Sequence, residues 1–102
     1  MESFADRLKP LGLAADFGNV YSPYGFKVVE FNGKKTWGIA TLNDYRSAEA
    51  RRLGIAEAEV AEPHYNCGLT NGGCIGNCGG VAGVSCKEGI DIFNGQVYCY
   101  CS

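Results

Sequence analysis

Residues 74–78 read "CIGNC" and residues 97–102 read "VYCYCS". The first stretch sets two cysteines (Cys74 and Cys78) four apart, and the second sets two (Cys99 and Cys101) two apart. Neighbours on one helix face recur at i, i+4, while neighbours on one strand face recur at i, i+2. One spacing therefore suits a helix and the other a strand, and two such elements facing each other bring the pairs within cross-linking reach.

The cysteines are unevenly distributed. All six (Cys67, Cys74, Cys78, Cys86, Cys99, Cys101) fall in the last 36 residues of a 102-residue chain. Nine of the 15 glycines lie there too, and glycine overall is about twice its usual frequency. An even cysteine count in a short, glycine-rich segment reads as a disulfide framework in an oxidising compartment and as metal ligation in a reducing one. The small size and this division predict a disulfide-rich α+β chain with an N-terminal segment, 1–63, and a cysteine-rich module, 64–102.

Composition excludes several function classes. A net charge of −2 supplies no surplus of cations for phosphate, so nucleic acid is not expected as a partner. The basic set in "YRSAEARR" and "GKK" shares its segment with nine acids and reads as solvated surface. No apolar run is long enough to span a bilayer. The opening "MESFADRLKPLGLAADFG" carries charges where a signal peptide has an apolar core, so no secretory signal is legible.

The first segment predicts an α–β–β–α order. "SFADRLKPL" offers Ser3 as an N-cap with Asp6 three residues on, and Pro10 ends that helix early. In "FKVVEFNGKKTWGIAT", Asn32-Gly33 between two β-rich runs is a strong hairpin signal. A two-residue turn pairs Phe31 with Lys34, Glu30 with Lys35, Val28 with Trp37 and Phe26 with Ile39. Phe26, Val28, Trp37 and Ile39 then share an apolar face. Asn43 or Asp44 is the expected cap of a helix ending at Gly54 and lying over the hairpin, and "IAEAEVAEP" continues as a short second helix.

In the second segment, "IDIFNGQVYCYC" predicts another hairpin turning at Asn94-Gly95. "CIGNCGGVAG" has helical cysteine spacing but poor helix formers, so a helix there depends on cross-links. The full pattern is C-x6-C-x3-C-x7-C-x12-C-x-C, and its order resembles the cysteine-stabilised αβ scaffold of defensins. That resemblance implies a helix carrying C-x3-C stapled to a strand carrying C-x-C, with bridges Cys67–Cys86, Cys74–Cys99 and Cys78–Cys101. The i, i+4 and i, i+2 separations are compatible with two parallel bridges. "TNGGC" (70–74) is similar to the start of an epidermal-growth-factor-like module, and "NGQVYCYC" (94–101) to the tails of some small cysteine-rich bacteriocins.

Metal ligation stays open from the residues alone, with His64, Cys67, Cys74 and Cys78 as one ligand set. No interval is the C-x2-C of zinc knuckles. His64 is the only histidine and reads more simply as a linker residue than as a ligand or general base. No nucleophile motif or phosphate loop is present, so no catalytic residue and no cofactor is expected, and the chain reads as a non-enzyme.

The leading expectation is a secreted antimicrobial or toxin-like protein whose cysteine-rich module binds a protein or cell-envelope target. Residues 1–63 then act as a pro-region or carrier. From Cys67 onward a single lysine, Lys87, faces Glu88 and Asp91. This balance favours a specific target over bilayer disruption. The alternative is a non-catalytic accessory subunit docking through the Trp37 and Phe26 face and the rings of Tyr98 and Tyr100. A small zinc protein is third.

Overall fold

The structure is a computed structural model that describes residues 4–13, 17, 20–60, 67–71, 73–80 and 82–102. It is α+β and carries three disulfide bridges. Its elements are a helical turn α1 (Phe4–Arg7), strands β1 (Phe26–Phe31) and β2 (Lys34–Ile39), helix α2 (Leu42–Leu53), and strands β3 (Cys67–Thr70), β4 (Gly73–Gly76), β5 (Cys86–Asp91) and β6 (Gln96–Cys101). Short 3-10 turns cover Lys9–Leu11 and Glu57–Glu59. Ser3 lies outside the described residues. The helix it was expected to cap stops at Arg7, and Pro10, whose ring cannot continue an α-helix, is the second residue of the following turn.

The β1–β2 hairpin has the expected register, from Phe31↔Lys34 to Phe26↔Ile39. Its turn places Asn32 at φ 52° and Gly33 at φ 76°, the two positive values a type I′ turn requires. The β5–β6 hairpin differs from expectation. Asp91 pairs with Gln96, so the loop holds four residues, 92–95, and Ile92 and Phe93 belong to it rather than to the strand. The cause is local. The Asp91 carboxylate accepts hydrogen bonds from the backbone N–H groups of Phe93 (3.1 Å) and Asn94 (3.4 Å), which starts the turn two residues early.

Helix α2 begins before the expected cap. Thr41 is the N-cap, and Asp44 is the N3 residue of a capping box. The Asp44 N–H donates to Thr41 Oγ1 (3.3 Å), and the Thr41 N–H donates to Asp44 Oδ2 (2.8 Å). Lys27 on β1 reaches the same carboxylate at 3.1 Å. Partial burial pushes the Asp44 pKa up, but the Thr41 N–H, the Lys27 ammonium and the Thr41 hydroxyl outweigh it and hold it below 3.8. A depressed carboxylate contributes stability that is present above its unfolded pKa and lost as pH falls through the folded value. Thr41→Ala is expected to cost about 1 kcal/mol at neutral pH. The gap to wild type should narrow in acid below the unfolded value of 3.8. Urea unfolding at the two pH values checks both statements.

The strands form a four-stranded sheet ordered β2-β1-β6-β5 and a separate pair β3-β4. Alternation along β6 divides the interior. Val97, Cys99 and Cys101 join one core with Leu8, Leu11, Phe17, Phe26 and Leu69. Tyr98 and Tyr100 face the other way, onto Tyr45, Ala48 and Ala50 of α2 and onto Val60. The result is three layers: β3–β4 with the N-terminal turns, the four-stranded sheet, and α2. Helix α2 thus lies mainly over β6 and touches the first hairpin through Lys27.

The expected boundary near Pro63 and His64 falls outside the described residues, and on either side of it the two segments interlock. Phe26 pairs with Val97 and Lys27 with Gln96, while the Val28 N–H donates to the Gly95 carbonyl at 2.7 Å. Ser22 exchanges two backbone hydrogen bonds with Leu69 on β3, at 3.0 and 2.9 Å. Leu8, Leu69 and Val97 are fully buried in the shared core. Each such side chain contributes roughly 1.5–3 kcal/mol that either segment alone would forgo.

Candidate functional site: the sulfur cluster and the exposed end of the sheet

The structure pairs Cys67 with Cys86, Cys74 with Cys99 and Cys78 with Cys101, with Cα separations of 5.6, 5.8 and 5.7 Å. This is the pairing the defensin resemblance implies, reached on a different frame. Cys74 lies on strand β4 and Cys78 in the bend that follows, so no helix carries the C-x3-C. Gly73 and Gly76 adopt φ of 102° and 124°, outside helical geometry, and the bend after Gly76 returns Cys78 to the side of the sheet.

All three bridges run between the β3–β4 layer and the β5–β6 strands. The sulfurs are contiguous. Those of Cys67, Cys78 and Cys101 lie within 4.8 Å of one another, as do those of Cys74, Cys86 and Cys99. The Cys67–Cys86 bridge is therefore central, with one sulfur against each outer bridge. Cysteines 67, 74 and 78 of the alternative zinc set are all bonded, and a disulfide sulfur is not the thiolate that zinc binds. His64 of that set lies outside the described residues. Three intramolecular bridges point to an oxidising compartment.

Of the four aromatics expected to dock a partner, Phe26 and Tyr98 are buried, whereas Trp37 and Tyr100 are half-buried. Phe26 is 2% exposed, stacked on Phe17 with centroids 4.5 Å apart, and Trp37 meets the same Phe17 edge-on at 5.0 Å. Tyr98 is 2% exposed beneath α2, and Tyr100 lies half-buried with the Arg52 guanidinium 3.8 Å above its ring. The hairpin face was legible as apolar, but the N-terminal segment that covers it was not.

Beneath α2 lies a polar group that sequence reasoning missed. Glu49, 4% exposed, receives Arg52 Nε at 2.6 Å and Nη2 at 2.8 Å, and the Tyr98 hydroxyl donates to it at 2.8 Å. Burial, then the Glu49 hydrogen bond and charge, raise the Tyr98 pKa. Burial and then Glu49 push that of Tyr45 up to about 12. Arg52 on its own helix and Tyr98 on β6 both donate to this carboxylate, which fixes the helix on the sheet. The i, i+3 spacing of Glu49 and Arg52 was the available signal, and it reads identically for a solvated helix face.

The two most exposed large apolar side chains, Phe31 and Phe93, lie at one end of the sheet, while others such as Ile39 (62% exposed) lie elsewhere. Because β1 and β6 are antiparallel, the 32–33 turn and the 92–95 loop leave the sheet at the same end. Phe31 is 71% exposed, Phe93 80% and Ile92 57%. The 92–95 loop stands between two clefts, one lined by Arg51 and Arg52 of α2 with Ile90, the other by Pro10, Leu11 and Lys35. Both rings precede an Asn-Gly turn in the sequence, a repeated Phe-Asn-Gly that marks the surface in retrospect.

No family model matches the chain, and no solved structure matches it. The chain is similar to the uncharacterized protein YozP of Bacillus subtilis (strain 168), at 36% identity over 62 residues. The match covers 60% of this chain and 57% of YozP, little more than half of that relative's length. Among the described residues, no helix is long and apolar enough to cross a membrane.

Proposed function

We propose that the chain is a secreted, toxin-like or antimicrobial cysteine-rich protein that acts by binding a protein or cell-envelope target, with the whole chain as the acting unit. The observation that carries this reading is the pair of outward phenylalanines, Phe31 and Phe93, held at one end of a cross-linked sheet. Leaving large apolar rings in water is unfavourable, and a frame that fixes them reduces the ordering entropy lost on binding. Aromatic anchors of this kind dominate binding energy where they fill a partner's pocket. The interlocked core supports a whole-chain unit, because removing residues 1–63 would strip β1 from β6 and uncover Val97.

The test compares wild type with a Phe31→Ser, Phe93→Ser double variant for growth inhibition of Bacillus subtilis, the source of the similar YozP, and for binding to its envelope fraction. Both positions are exposed, so the unfolding midpoint should hold while binding falls at least about tenfold, from roughly 1 kcal/mol or more per anchor. Equal binding by the two proteins, or no binding by either, would overturn the proposal.

A further inference from the structure

We propose that the Cys67–Cys86 bridge is a site of attack for low-molecular-weight thiols, and that attack there converts the chain to a second disulfide isomer without net oxidation or reduction. The inference rests on the sulfur cluster and does not depend on the target-binding reading.

Each bridge joins a buried cysteine to a half-buried one, and in the central bridge the half-buried member is Cys86. A thiolate of the cysteine or glutathione class attacks Cys86 Sγ. An S–S bond forms between the incoming sulfur and Cys86, the Cys67–Cys86 bond breaks, and its electron pair leaves on Cys67 as a thiolate. That thiolate is released within 4.8 Å of both sulfurs of the Cys78–Cys101 bridge. Confinement at this distance makes the next exchange effectively unimolecular. Attack on Cys78 forms Cys67–Cys78 and releases the Cys101 thiolate. Cys101 is the cross-strand partner of Cys86 in the β5–β6 register, so the two side chains stand on the same face. Its attack on Cys86 forms Cys86–Cys101 and returns the original thiolate. Three disulfides exist before and three after, and the small thiol is regenerated.

The isomer differs in what it ties together. In the structure all three bridges join the β3–β4 layer to the β5–β6 strands. After exchange, Cys67–Cys78 lies within the first unit and Cys86–Cys101 within the second. Only Cys74–Cys99 still crosses. The layer then hangs on one covalent pivot, and the bend at 77–80 is released from β6. A small thiol thus acts as a catalyst that unlocks one layer of the fold.

The test incubates the oxidised full chain with reduced glutathione in the absence of oxygen, quenches with acid, alkylates free thiols and maps peptides without reduction. The expected first adduct carries one glutathione on Cys86. Peptides linking Cys67 to Cys78 and Cys86 to Cys101 follow, while Cys74–Cys99 persists. A Cys67→Ser, Cys86→Ser double variant should open Cys78–Cys101 roughly tenfold or more slowly than wild type, since the internal nucleophile is gone. The wild-type map stands by itself if that variant does not fold. A first adduct on another cysteine, simultaneous loss of all three bridges, persistence of the original pairing, or equally fast opening of Cys78–Cys101 in the folded variant would overturn the proposal.

Discussion

Gly25→Ala is expected to destabilise the chain by at least about 4 kcal/mol, an exceptional value for one methyl group and a large share of what a domain this size possesses. Gly25 sits at φ +88°, and a Cβ built there meets the Val97 carbonyl oxygen at 2.0 Å and Tyr98 Cα at 2.6 Å. Both are backbone atoms of β6, so no rotamer change relieves the clash. Relief requires β1 to separate from β6, which breaks the Phe26–Val97 pairing and opens the shared core. Gly33→Ala is the control. Its φ is +76° with nothing within 4 Å, so only the backbone penalty of about 1–2 kcal/mol applies. Urea midpoints by circular dichroism read both, and a Gly25→Ala variant no less stable than Gly33→Ala would contradict the packing of β1 against β6.

Glu49→Ala carries the second large effect. Removing the carboxylate leaves the Tyr98 hydroxyl buried without its acceptor and Arg52 without its counter-charge. Breaking a buried pair costs roughly 3–5 kcal/mol. The Arg52 side chain is 33% exposed and can turn to water, so the low end, about 3 kcal/mol, is expected. Tyr98→Phe removes only the hydroxyl and should cost about 1–1.5 kcal/mol. Alkaline titration gives an independent reading. An unfolded tyrosine ionises near pH 10, whereas folded Tyr98, held neutral by burial and then by Glu49, ionises well above that. A raised pKa contributes stability that is full below the unfolded value and lost as pH rises through the folded one. Wild type should therefore weaken above pH 10, and Glu49→Ala should weaken less steeply, because part of the Tyr98 shift is gone.

Elements governed by their own residues were legible in the sequence. Asn32-Gly33 fixes one hairpin through backbone dihedrals that no distant contact has to supply, and Gly54 ends α2 in the left-handed conformation for the same reason. Asn94-Gly95 carries the same local signal, yet Asp91 two residues upstream captures the turn first, and hydrophobic periodicity does not register a side-chain hydrogen bond. The "CIGNC" spacing was ambiguous in principle. A helix and a strand followed by a glycine bend both bring cysteines four apart to one side, and backbone choice at Gly73 and Gly76 decides between them. The partners of Phe26, Trp37 and Glu49 were illegible because they lie far away along the chain. Tyr98 bonds Glu49 across 49 residues.

Cutting the chain once between residues 60 and 67 tests most directly whether the hairpin and the cysteine segment are one folded unit. All six cysteines lie on the C-terminal side of that cut, so no bridge holds the two pieces together. Noncovalent contacts alone do so, chiefly the β1–β6 pairing, the Ser22–Leu69 and Tyr98–Glu49 hydrogen bonds, the Arg51–Asp91 ion pair and the shared core. Size-exclusion chromatography of the nicked, oxidised protein in native buffer should return both pieces in one peak at the intact volume, separating only in denaturant. Two peaks in native buffer, with residues 67–102 folded alone, would contradict the single-unit fold.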